Sequence, residues 1–66
     1  MVVTAHCVRD GDWWVVDVPE VAGAITQGRT LDEAALMAAD AAALLLDVDP
    51  ASIQVRVVTE PHAVIA

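Results

Sequence analysis

The chain is predicted to fold as one α+β domain, with elements in the order β-β-β-α-β. Three observations predict it. Two Val- and Trp-rich segments flank Asp10-Gly11. An Ala/Leu stretch opens on Thr30-Leu31-Asp32-Glu33. Residues 52–59 then set Ile53, Val55 and Val57 against Gln54, Arg56 and Val58. The expectation is an antiparallel sheet with the helix packed on one face.

Residues 2–9 and 12–18 read as a β-hairpin, because Asp-Gly supplies the positive φ angles of a two-residue type I′ turn. In the second strand Trp14, Val16 and Val18 share the face expected to meet the core. Trp13, Val15 and Asp17 share the other. Pro19 ends this strand, since it cannot donate to a ladder. Gly23 and Gly28 then bracket a short third strand, Ala24 to Gln27. Thr30 begins the helix as its N-cap, and a capping box predicts that the Glu33 carboxylate returns to the N–H of Thr30. The helix should run to about Asp47, with Leu31, Ala34, Ala35, Ala38, Ala41, Ala42 and Leu45 on its inner face. Small side chains dominate that face, so the helix can lie close to the sheet. Asp49 and Pro50 close it, and the alternating segment follows as a half-buried strand.

Sixty-six residues bury only about 60% of their unfolded surface. Yet 58% of the residues are hydrophobic, more than so small an interior hides. Disulfides, metals or self-association usually remedy a thin core. Cys7 is the sole cysteine, and His6, Cys7 and His62 lack zinc-ligand spacing. No metal and no cofactor is expected. A homo-oligomer, dimer or tetramer, is.

Ten acidic residues against three arginines give a net charge of −7. That field disfavours direct nucleic-acid binding, which needs clustered Lys and Arg; it either attracts a basic protein partner or only keeps an apolar oligomer soluble. The N-terminus shows no signal-peptide pattern, and no apolar run is long enough to cross a bilayer. The expectation is a cytoplasmic protein that is not bound to membrane.

The central stretch resembles the HicB-like antitoxin family. The residues that carry the likeness are Trp13-Trp14-Val15-Val16, Pro19-Glu20-Val21-Ala22-Gly23, Thr26-Gln27-Gly28 and Thr30-Leu31-Asp32-Glu33-Ala34. The likeness extends through Leu46 and less specifically to Val58. It implies a partial double-stranded-RNA-binding-like fold and a place in a type II toxin–antitoxin pair. The implied partner is a small basic HicA-type toxin, an mRNA-cleaving ribonuclease neutralised by covering its active site. Full-length members add a C-terminal DNA-binding segment. The sequence ends at Ala66, so the short, stand-alone form without operator binding is expected. Ala22 stands where the family has a second proline, and Leu36, Met37, Ala39 and Ala43 occupy positions more often polar. The alternative is an orphan self-associating scaffold or regulatory module with no toxin.

No enzyme is expected. His6 and Cys7 are neighbours on a strand and point to opposite faces, so they cannot form a nucleophile pair. Asp10 and Asp12 serve the hairpin turn, and a metal-dependent nuclease remnant built with Asp17 is the least favoured reading. Gly23 and Gly28 lack phosphate-loop spacing. The candidate oligomer or partner interface comprises Leu36, Met37 and Leu44 on the helix and Trp13 and Val15 on the sheet. Leu36 with Ala43, and Met37 with Leu44, are seven residues apart and should align along the helix. Asp32, Glu33, Asp40 and Asp47 are the candidates for steering a basic partner. Residues 1–66 read as a single domain. About the last six residues form an apolar tail, expected to fray or to dock on a neighbour.

Overall fold

The computed structural model describes residues 1–59. Four strands and a helix follow in the expected order: β1 (Val2–Asp10), β2 (Trp13–Asp17), β3 (Ile25–Gly28), α1 (Leu31–Leu46) and β4 (Gln54–Thr59), with one 3-10 turn at Pro50–Ser52. The sheet order is β3-β2-β1-β4. The expected tail lies outside the described residues.

The first three strands pair antiparallel, and β4 joins β1 in parallel. The sheet is therefore mixed rather than wholly antiparallel. The cause lies in the connection. Hairpins and tight turns reverse the chain, whereas α1 carries it across the sheet so that β4 runs in the direction of β3.

The hairpin is offset by one residue from its predicted position. Asp10 faces Trp13, so the two-residue loop is Gly11-Asp12. Only Gly11 has positive φ (60°), the pattern of a type II′ turn. Asp10 becomes the last residue of β1. The predicted faces survive, because Trp14, Val16 and Val18 still point toward α1.

The core is made of small side chains. Val3, Ala5 and Cys7 from β1 meet Val16 and Val18, the connection residues Val21 and Ala24, and Ala34, Ala38, Ala42 and Ala43 of α1. Among the described residues, the largest fully buried side chains are valines and Cys7. Cys7 is a free thiol, and burial pushes its pKa up, so it packs as a small hydrophobe.

Three alanines spaced four apart, Ala34, Ala38 and Ala42, let α1 approach the sheet as predicted. The last turn departs from the predicted face. Leu45 is 53% exposed, whereas Ala43 is buried. Asp47 adopts the left-handed conformation (φ 56°), and the N–H of Val48 donates to the Ala43 carbonyl at 3.0 Å. This is a Schellman reversal, and it folds the chain back over Ala43.

The N-terminal cap forms with one variation. The N–H of Glu33 donates to Thr30 Oγ1 at 3.0 Å, as expected. The Glu33 carboxylate reaches one residue further back and accepts from the N–H of Arg29 at 2.8 Å, not from Thr30.

A candidate partner-binding surface on the helix

The motif-like residues of the β2–α1 connection are engaged inside the fold. Pro19 turns the chain away from β1, leaving Thr4 without a β2 neighbour on that side. Glu20 fills the gap. Its Oε1 accepts from the Thr4 N–H at 2.9 Å, and its Oε2 accepts from the Thr4 hydroxyl at 2.7 Å. These bonds, the backbone one first, hold the Glu20 carboxyl below its usual pKa, with help from the Arg56 charge. Val21 is buried beneath the turn, and Gly23 supplies a φ of 86°. Ala22 is exposed and does not enter the core.

Both tryptophans are paired with arginines. The Arg9 guanidinium lies 5.3 Å from the Trp14 ring centre, and that of Arg29 lies 4.5 Å from Trp13. Trp13 and Val15 are half-buried on the helix-free face. Arg29 therefore covers part of the ring that was a candidate binding anchor.

The helix candidates are more accessible. Leu36 is 68% and Leu44 83% exposed, and Met37 is also exposed. Asp32, Glu33, Asp40 and Asp47 are exposed among them. The predicted Leu36–Ala43 stripe is broken because Ala43 is buried, whereas the Met37–Leu44 stripe stands.

Among the described residues, two shallow grooves flank α1. One, of about 420 Å³, is lined by Asp40, Ala43, Leu44, Asp47, Val48 and Pro50. The other, of about 560 Å³, lies between α1 and β4, with Leu36, Ala39, Ile53 and Val55 among its walls. The sequence pointed to neither, because Val48 and Pro50 reach α1 only through the reversal at Asp47.

Each groove carries two aspartates, Asp40 with Asp47 in the first and Asp32 with Asp40 in the second, and the helix end sets the first apart. A helix C-terminus carries partial negative charge from its free carbonyls, ordinarily offset by Lys or Arg in the last turn. This last turn holds no basic residue, and Asp47 adds a full negative charge at the helix end. The result is an apolar depression with an acidic rim, suited to an arginine or lysine whose aliphatic stem needs cover.

The described residues contain no group of three or more His, Cys, Asp or Glu side chains able to hold a metal. Asp10, Asp12 and Asp17 are exposed and do not converge on one. No helix among them is long and apolar enough to cross a membrane. In comparisons with known proteins, no family model matches the chain, and no curated protein or solved structure matches it at a significant level.

Proposed function

We propose that the protein acts by stoichiometric binding, as a HicB-like antitoxin that neutralises a small basic HicA-type mRNA-cleaving toxin by covering its active site. The observation that carries this reading is the uncompensated negative end of α1, where Asp40 and Asp47 rim an apolar groove beside Leu44. Charge left unpaired within the chain costs stability, and a cationic partner relieves that cost. Net charge steers the encounter, and Leu44 and Met37 supply apolar contact once the partner docks. The reading implies a cytoplasmic protein without catalytic activity.

Co-expression with the product of an adjacent small basic reading frame tests it. The pair is expected to co-purify and to restore growth lost when the basic protein is expressed alone. Growth that stays arrested despite equal expression of both chains counts against the proposal.

A second reading, a self-associating scaffold or regulatory module with no toxin, draws on a different observation. Val57 and Val58 remain 39% and 41% exposed on the edge strand β4, whose Val55 lines the second groove.

A further inference from the structure

We propose that two copies of this chain join edge to edge along β4, antiparallel about a two-fold axis at Val57. The paired sheets then form one eight-stranded sheet with both helices on the same face.

The backbone of β4 supplies the first argument. The N–H of Gln54 donates to the Met1 carbonyl at 2.7 Å, so Gln54, Arg56 and Val58 turn their backbone groups toward β1. By alternation Val55, Val57 and Thr59 turn theirs outward, where β4 is the sheet edge. The same parity explains why the N–H of Thr4 points the other way, to Glu20. With Val57 opposite Val57 of the second copy, Val55 faces Thr59, and all outward donors and acceptors of these three residues meet partners. Moving the two-fold axis by one residue, to Arg56, would set Arg56 against Arg56, a like-charge pair that destabilises a ladder.

The side chains give the second argument. Arg56 is the only charged residue of β4, and edge strands that resist pairing ordinarily carry more charge, a proline or a bulge. The groove holding Leu36, Ala39, Ile53 and Val55 runs beside this edge. Antiparallel pairing about a two-fold brings the two grooves together across the seam, where Leu36 of each copy loses its exposure to water.

The core argues for a second copy as the occupant. A 66-residue chain whose largest fully buried side chains, among the described residues, are valines and a cysteine has little cohesion of its own. Its own copy is the one partner present whenever it folds. Met37, Leu44 and Asp47 do not line the groove at the seam, whereas Asp40 and Pro50 line both grooves, so partner binding coexists with the dimer through the Leu44 and Asp47 side of the acidic groove.

Sedimentation velocity on the full chain alone, at tens of micromolar, tests the proposal. Wild type is expected as a dimer. Val57→Pro is expected as a monomer with unchanged circular dichroism, because the proline removes an outward N–H and leaves the β1–β4 ladder intact. Leu44→Lys and Trp13→Ala should remain dimeric. A wild-type monomer, or a Val57→Pro dimer, overturns the proposal. So does dissociation by Leu44→Lys or by Trp13→Ala.

If Val57→Pro loses its circular dichroism, oxidation of Val57→Cys decides. Facing Cα atoms in a hydrogen-bonded pair lie about 5.5 Å apart, within disulfide reach. A cross-linked dimer is expected, and a yield no higher than that of wild type, whose Cys7 is buried, overturns the proposal. Because no toxin is present, this experiment and the antitoxin reading fail independently.

Discussion

A Cβ atom on Gly28 would stand 2.7 Å from the backbone nitrogen of Ala34 and 2.9 Å from its Cα. The last residue of β3 and the first turn of α1 are thus in backbone contact. The fit depends on the absence of a side chain at Gly28. Both atoms approached belong to backbone and cannot swing aside. Gly28→Ala is expected to cost about 3 kcal/mol, in the range of overpacked cores. For a domain this size that is most of the available stability. Chemical denaturation checks it, and a loss below about 1 kcal/mol would mean that α1 can shift.

Acid sensitivity should be concentrated at Glu20. Its carboxyl pKa is lowered in the fold by the Thr4 N–H and hydroxyl. A group with a depressed folded pKa contributes stability above its unfolded value and loses it as pH falls through the folded value. The stabilisation is therefore complete above the ordinary glutamate range and is lost as pH falls from that range through the depressed folded value. Glu20→Gln should lower stability at neutral pH and flatten the acid limb of the stability–pH curve. Denaturation midpoints from pH 7 down to pH 3 provide the comparison.

Asp47 is expected to trade stability for binding. It holds a left-handed φ of 56° and a negative charge at the negative end of α1. Asp47→Asn keeps a residue tolerant of that conformation and removes the charge, so it should gain about 0.5 kcal/mol. The same change should weaken binding of a basic partner. A variant that is stabilised and binds unchanged would remove Asp47 from the proposed interface.

Arg29→Ala should expose the Trp13 ring and cost about 0.5–1 kcal/mol, as for a cation–π pair near the surface. Thermal unfolding measures the loss, and tryptophan fluorescence should shift toward the red.

Much of this architecture was legible because it is encoded locally. Thr30 with Glu33 marked the helix start, Pro19 the end of β2, and the alternation of Trp14, Val16 and Val18 the buried face. What escaped was non-local or hinged on one residue. Asp10-Gly11-Asp12 accommodates two turn registers with the glycine in the middle, and pairing of the whole strands selects between them. No local signal fixes the direction in which α1 returns the chain, or places β4 beside β1 rather than β3, so the parallel pairing with β1 was unreadable. The burial of Ala43 and the exposure of Leu45 follow from the reversal at Asp47, which helical periodicity does not anticipate. The helix candidates Leu36, Met37 and Leu44 were legible as apolar residues on an otherwise charged face. The acidic groove beside Leu44 was not, because residues beyond the helix complete it.

The most direct measurement is a titration of RNA cleavage by the purified adjacent basic protein against this chain, at low and at high salt. Cleavage is expected to stop near one equivalent at low salt. Affinity should fall as salt screens the acidic groove, and Asp40→Lys combined with Asp47→Lys should abolish inhibition while the fold persists. Cleavage that continues at full rate with the chain in excess at low salt would contradict it.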